Sequence, residues 1–397
     1  MKKLLAGAAI AALSVTAAHA GGHGPVKVGV MLGFTGPIES LTPDMGASAE
    51  MAMAEASSSG AFLGGKAIEP VRADSTCVDA SAATAAAERL VTADGVVAIM
   101  GADCSGVTTA VANNVAIPNG VVMVSPSATS PALSTIEDNG LFFRTAPSDA
   151  RQGDVLATIL MERGIDEVAV TYTNNDYGKG LSDSFAAAFE GMGGSVAITA
   201  AHEDGKGDYS AEVGALSASG ADTLAVFGYV DQGGRGIIQS SIDTGAFDLF
   251  VLGDGMIGPS LTDAFGTDIE GTFGTAPGST GQAFTDFEQM AQASGITGSG
   301  PYRGESYDAA ALIILAMQAG GDATREAVRR NRLDVANAPG EPIGPGELAR
   351  ALEILAAGGE VNYEGATGVE LIGPGEAAGA YLELEVQSGA FETVATR

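Results

Sequence analysis

Tryptophan is absent from this chain of 397 residues, cysteine occurs twice and histidine three times, and cations are scarce, with 19 Lys and Arg against 49 Asp and Glu. Each shortage excludes something. A formal charge of −30 opposes the phosphates of nucleic acid and of anionic membranes, so neither is an expected partner. The histidines are His19, His23 and His202, and neither HExxH nor CxxC is present, so no metal site is expected. No G-x-G-x-x-G sits between a strand and a helix and no G-x-x-x-x-G-K-[ST] occurs, so no nucleotide or other cofactor is expected. G-x-S-x-G is missing too, and His202 is the sole histidine in the α/β region, so a secreted serine hydrolase would lack its base and an enzyme is not expected. Past the N-terminus no run of about 18 apolar residues could cross a bilayer.

What is present begins with Met1-Lys2-Lys3, an apolar run over Leu4–Leu13, and Ala18-His19-Ala20. A basic start, a short apolar core and an A-x-A site spell a secretory signal peptide over residues 1–20, with export to the periplasm. No cysteine at the cut suggests a lipid anchor. Cleavage leaves about 377 residues, enough for two domains, and moves the charge from −30 to −32 as Lys2 and Lys3 leave. Glycine is abundant at 57 residues, yet 46% of the chain is hydrophobic, so sizeable cores are available. In an oxidising compartment an even pair, Cys77 and Cys104, favours a disulfide. Closing its loop of about 28 residues restricts the unfolded chain by roughly 3.6 kcal/mol.

From Val26 onward, short β-rich runs alternate with helical stretches. Val26–Met31, Ala67–Ala73, Val96–Met100 and Val121–Val124 read as strands. Helices fall between them at Met45–Ser58, Ala80–Thr92 and near Ser105–Asn114. After Leu141–Pro147 the rhythm restarts, with strands at Glu167–Tyr172, Ser195–Ala200, Thr223–Phe227 and Leu249–Leu252. This predicts an α/β protein of two doubly wound parallel-sheet lobes. Past Thr272, one long helix over Glu305–Ala319, further helices and a late strand over Tyr381–Val386 are too little for a third domain. The tail should cross back and complete the first two.

Ligands of open α/β sheets bind beyond the carboxyl ends of the strands. One such loop reads Gly101-Ala102-Asp103-Cys104-Ser105-Gly106, with Ser105 expected to cap the next helix. The next reads Ser125-Pro126-Ser127-Ala128-Thr129-Ser130-Pro131, where Ser130 caps and Pro131 opens a helical turn. Hydroxyls and helix starts at adjacent strand ends suit a carboxylate. On the second lobe, Gly253-Asp254-Gly255 ends a strand, where Asp254 serves either as a turn residue or as the partner of an ammonium. Tyr177 opens a helix, and its ring either covers a ligand or packs in the core.

These pieces together resemble the periplasmic solute-binding proteins of ABC transporters for branched-chain amino acids, the leucine-binding type. The resemblance rests on Val28-Gly29-Val30, Thr35-Gly36-Pro37, the spacing of Cys77 and Cys104, Ser125-Pro126-Ser127-Ala128-Thr129, Phe143-Arg144-Thr145-Ala146-Pro147-Ser148-Asp149, Asp176-Tyr177-Gly178, Tyr307-Asp308-Ala309 and Asn362-Tyr363-Glu364-Gly365-Ala366-Thr367-Gly368. It implies a type I periplasmic binding protein, a monomer whose lobes, joined by a three-crossover hinge, trap ligand for a membrane permease. The lobes would comprise residues 25–145 plus 276–355 and 146–275 plus 356–397. By this resemblance the Ser105 hydroxyl binds the ligand α-carboxylate, Thr129 holds carboxylate and ammonium, and the Ser127 carbonyl takes the ammonium. Asp254 balances the ammonium from the second lobe, Tyr177 closes the cleft, and Phe227, in Phe227-Gly228-Tyr229, is assigned to the ring that stacks on the ligand. Leu41 falls near an aromatic wall position. Asp103 stands where leucine binders have an apolar residue; pointing inward it, or Glu39, would favour a polar or cationic side chain, pointing outward an aliphatic one. Receptors for amides, urea or short organic acids, and a periplasmic sensor with a signalling partner, are the alternative functions.

Overall fold

A computed structural model describes residues 24–397, apart from the side chains of Arg332 and Leu333; the expected leader lies outside the described residues. Five parallel strands start the first lobe: β1 (Val26–Leu32), β2 (Ile68–Asp74), β3 (Ala98–Gly101), β4 (Val122–Ser125) and β5 (Phe142–Arg144). The second lobe repeats the plan with β6 (Glu167–Thr173), β7 (Ser195–His202), β8 (Thr223–Phe227), β9 (Leu249–Leu252) and β10 (Phe273–Pro277). The orders are β5-β4-β3-β1-β2 and β10-β9-β8-β6-β7, the same path twice. Central strands β3, β4 and β8 are buried throughout, as strands covered on both faces must be. Edge strand β7 alternates between exposed and half-buried residues until its end, which is why it reads less apolar.

Helices fill the connections. In the first lobe they are α1 (Thr42–Ser58), α2 (Ala80–Glu88) and α3 (Ser105–Val111). In the second they are α4 (Asp149–Glu162), α5 (Asp176–Gly191), α6 (Ser210–Ser217), α7 (Gly233–Thr244) and α8 (Pro259–Phe265). The chain then runs through α9 (Gln282–Ala293), α10 (Arg303–Gly320), α11 (Arg325–Ala336) and α12 (Leu348–Ala356), with a two-stranded ribbon of β11 (Glu341–Ile343) and β12 (Val361–Tyr363). α10 packs on α1 and is buried from Arg303 to Gln318, which explains a helix apolar nearly all round its Ala, Leu and Ile section. Among the described residues no helix is long and apolar enough to cross a membrane.

The expected boundary at residue 356 is corrected. Two short strands, β13 (Leu371–Ile372) and β14 (Glu376–Ala377), extend the first sheet, with Glu376 paired to Arg144 of β5. Only β15 (Tyr381–Gln387) and β16 (Ala390–Thr396) join the second sheet, antiparallel beside β10. The chain therefore crosses between lobes after β5, after β10 and after β14. These crossings are tied together: Gly278 N donates to Ala380 O at 3.1 Å, and the Tyr381 hydroxyl to Ser148 O at 3.2 Å. Asp308 explains two of the quoted motifs at once. Its carboxylate accepts bonds from the Tyr363 hydroxyl, the Ala366 and Thr367 amides and the Thr367 hydroxyl at 2.7–3.0 Å, pinning the turn after β12 to α10.

Candidate functional site

Both sheets end at the interlobe cleft, and the order of each reverses at its middle, between β1 and β3 and between β6 and β8. Such switch points leave room for a ligand beyond the strand ends. Here one narrow crevice, with a volume of about 20 Å³ for the centre of a water-sized sphere, is lined by Ile38, Leu41, Met45, Asp103, Cys104, Ser105, Ser127, Tyr177, Tyr229, Asp254, Gly255 and Tyr302. Leu41, Asp103, Ser105, Ser127, Tyr177 and Asp254, separated by up to 213 positions in sequence, are thereby brought together.

The first-lobe wall is held by hydrogen bonds from behind. Ser105 is the first residue of α3 rather than its cap, a position taken by Cys104, and the Ser105 hydroxyl accepts the Ser130 amide at 3.1 Å. Ser130 does cap the turn opened by Pro131. The Ser127 hydroxyl donates to Asp103 O at 3.2 Å. Arg144, 1% exposed, fixes this loop from below. Its guanidinium donates to the carbonyls of Ala128 and Ser130 at 3.0 and 2.9 Å and pairs with Glu376 at 2.5 Å. A disulfide joins Cys77 to Cys104, tying the loop after β2 to the loop after β3.

Asp103 is part of this bracing. Gly33 N donates to one of its carboxylate oxygens at 2.6 Å and the Ser75 hydroxyl to the other at 2.7 Å. Burial pushes its carboxyl up, and those two donors pull it back down. A Cβ at Gly33 would lie 3.0 Å from the carboxylate, so a side chain there would crowd the brace. Glu39 is exposed, accepts the Gly36 amide, and does not line the crevice.

The second-lobe wall carries the charge. Asp254 is 2% exposed in the turn after β9. The Tyr177 hydroxyl donates to it at 2.8 Å and itself accepts the Gly255 amide at 3.0 Å. Tyr177 is oriented by the start of α5, where the Asn175 side chain caps Gly178 N at 3.1 Å. The hydroxyl of Tyr302, at the head of α10 in the first lobe, also donates to Asp254 across the cleft. Burial raises the Asp254 carboxyl, opposed by the Tyr302 and Tyr177 hydroxyls. Tyr302 has φ of 68°, the left-handed region uncommon for a bulky residue, and this conformation precedes the helix that presents its hydroxyl.

Two expected residues lie elsewhere. Phe227 is buried in the second lobe with its ring edge against Phe185, because it still belongs to strand β8. Tyr229, two residues on and past the strand end, lines the crevice and stacks on Tyr177 with ring centres 5.2 Å apart. Thr129 is fully buried behind the lining, with its carbonyl accepting the Asp149 amide at 2.9 Å. Ile38, Met45 and Tyr302 escaped sequence reasoning, which reached Tyr229 only as part of Phe227-Gly228-Tyr229. An aromatic just beyond a strand end could have flagged Tyr229, and a lone aromatic in Gly298-Ser299-Gly300-Pro301-Tyr302 could have flagged Tyr302.

Across the cleft mouth the lobes touch. Ser40 N donates to Asp231 at 2.8 Å, and Asp231 N to Pro37 O at 3.0 Å. The arrangement is thus a crevice offering hydroxyls and the braced Asp103 carboxylate on one side, the Asp254 carboxylate and aromatic hydroxyls on the other, and apolar side chains at Ile38, Leu41 and Met45.

Residues 25–366 match the profile of a periplasmic binding protein family. The chain is 30% identical over 379 residues to the chemotactic signal transduction system substrate-binding protein BasB of Halobacterium salinarum, covering 93% of this chain and 89% of that one. It is 32% identical over 280 residues to a Leu/Ile/Val-binding protein homolog of Brucella melitensis, covering 69% and 72% respectively. In fold it is similar to the leucine-binding protein LivK of Thermotoga maritima, with a TM-score of 0.78 at 23% identity over 94% of this chain and 98% of the other. The chain belongs to the periplasmic binding protein family, and within it to the branched-chain amino acid type.

Proposed function

We propose that this protein is the periplasmic receptor of an ABC transporter for an amino acid with a short aliphatic side chain, which it closes upon and delivers to a membrane permease. The observation that carries the reading is the combination within one crevice of Asp254, the hydroxyls and backbone of Ser105 and Ser127, and the apolar side chains of Ile38, Leu41 and Met45. An α-amino acid needs all three: an acceptor for its ammonium, donors for its carboxylate and a dry wall for its side chain. A neutral amide or a simple organic acid has no ammonium for Asp254. A basic or polar side chain would find Asp103 as its partner beside the apolar residues, and each Asp103 oxygen already accepts one bond, from Gly33 or Ser75. Charge-assisted bonds contribute about 1.5–3 kcal/mol each, so three or four support micromolar binding after ordering costs.

The test is a thermal-shift screen of refolded protein against aliphatic, polar and basic amino acids, amides and small organic acids. At 100 times its dissociation constant a ligand stabilises the fold by about 2.7 kcal/mol. Selective stabilisation by leucine, isoleucine, valine or alanine is expected; stabilisation by amides or acids alone would remove the role given to Asp254. Likeness to BasB over 93% of the chain favours a second reading, in which the same crevice reports an amino acid to a chemotaxis partner. The two readings share the ligand and differ in the protein that receives the closed form, which a pull-down with membranes containing the permease would separate.

A further inference from the structure

Beside the crevice lies a carboxylate to which the receptor reading gives no role. Asp149, the first residue of α4, has no exposed surface, and neither of its carboxylate oxygens has a hydrogen-bond partner. The Thr129 hydroxyl stands next to it, near enough to favour its charged form yet short of hydrogen-bond geometry, and is itself unpartnered. One turn along α4, the Gln152 carbonyl oxygen is unpartnered too, while the Gln152 amide nitrogen bonds Thr275. Three neighbouring side chains therefore leave buried polar atoms unused, and a buried polar atom without a partner costs about 1–3 kcal/mol.

We propose that Asp149 is the second carboxylate of the ammonium subsite: Asp149 and Asp254 share one proton in the ligand-free protein, and a ligand ammonium displaces that proton to solvent when it binds. This rests on the amino-acid reading above. Two carboxylates in a buried site cannot both ionise without a cation. Asp254, with tyrosine hydroxyls donating to both of its oxygens, is equipped to stay charged; Asp149 has no such donors and carries the proton. Burial pushes the Asp149 carboxyl well up, and the Asp254 charge pushes it further. The groups that face it are Asp254 after β9, Tyr177 of α5, Tyr302 before α10, Tyr381 of β15 and, opposing the shift, Arg144 of β5. An ammonium has three N–H donors, enough for Asp254, the Ser127 carbonyl and Asp149. The balance is one neutral acid, one carboxylate and one ammonium before binding, and two carboxylates around one ammonium plus a free proton after it.

Proton release on binding means that affinity rises with pH, by up to about tenfold per unit where the pair is protonated, and levels off above that range. The experiment is calorimetric titration with L-leucine, L-valine and L-alanine between about pH 5 and 9, in two buffers of different ionisation enthalpy, on the full chain and on Asp149→Asn. The expected result is release of up to one proton per ligand by the wild type. Asp149→Asn should melt normally, release none, and bind about tenfold more weakly at the alkaline end with a flat pH profile. Binding by the wild type without proton release, or unchanged release by Asp149→Asn, overturns the inference alone. If Asp149→Asn does not fold, the wild-type proton count still decides. If none of the three amino acids binds the wild type, the receptor reading falls and the inference falls with it.

Discussion

The two walls of the crevice are built on the same strand order yet use different chemistry. On the first lobe the contact groups Ser105 and Ser127 are neutral and tied from behind, through Ser130, Asp103, Arg144 and the Cys77–Cys104 bond, and the one carboxylate that lines this wall, Asp103, accepts bonds from Gly33 and Ser75 of its own lobe. On the second lobe the contact groups are one carboxylate and two stacked tyrosines, and the bonds of Asp254 come from phenol hydroxyls that face the same space. The first wall is thus a prearranged template, which lowers the ordering cost of binding. The second supplies a charge whose partners a ligand can replace. One donor to that charge, Tyr302, comes from the first lobe, so the contact that holds Asp254 also holds the lobes together.

Removing the template's support should have the largest effect. Arg144→Met leaves the Ala128 and Ser130 carbonyls and the Glu376 carboxylate without their donor in a buried setting. A stability loss of about 3–5 kcal/mol in urea unfolding is expected, with ligand binding weakened as the 125–135 loop loosens. A loss under about 1 kcal/mol would mean that the loop is held by something other than Arg144. Next comes a matched pair of contact variants. Asp254→Ala should weaken amino-acid binding by about 2–3 kcal/mol and Ser105→Ala by about 1–1.5 kcal/mol, with both melting points near that of the wild type. Titration calorimetry reads the difference, and equal losses would erase the proposed division between the Asp254 charge and the neutral hydroxyls opposite it.

The strand–helix rhythm from Val26 to Leu252 was legible because buried parallel strands must be apolar and their connections must be helical. The site was legible where strand ends coincide with polar loops, as at Ser105, Ser127 and Asp254, and the family resemblance added their roles. What stayed hidden depends on distant partners. Asp103 lines the crevice, but the bonds that its oxygens accept from Gly33 and Ser75 join positions 70 and 28 residues away. Tyr302 reaches Asp254 across 48 positions and the second crossing between lobes. Phe227 and Tyr229 differ by two residues, which leaves the side-chain parity of a strand unchanged; what separates them is where β8 ends. Strands β13 and β14, of two residues each, carry no periodicity at all, so the first lobe's claim on that segment comes only from pairing with β5.

The smallest expected effect lies at the rim, where the same two lobes meet in water. Asp231 accepts the Ser40 amide and the Ser260 hydroxyl, each at 2.8 Å, and its own amide donates to Pro37, so one residue of the second lobe fastens two of the first. These groups remain hydrated when the lobes part, so each bond exchanges with water and its net worth is modest. Asp231→Ala should therefore lower ligand affinity only about two- to fivefold, mostly through faster release, and leave unfolding stability unchanged. Stopped-flow dissociation alongside calorimetry would show it. An affinity loss as large as that of Asp254→Ala would shift the control of closure from the buried carboxylate to the rim, and the second wall's charge would then serve recognition alone.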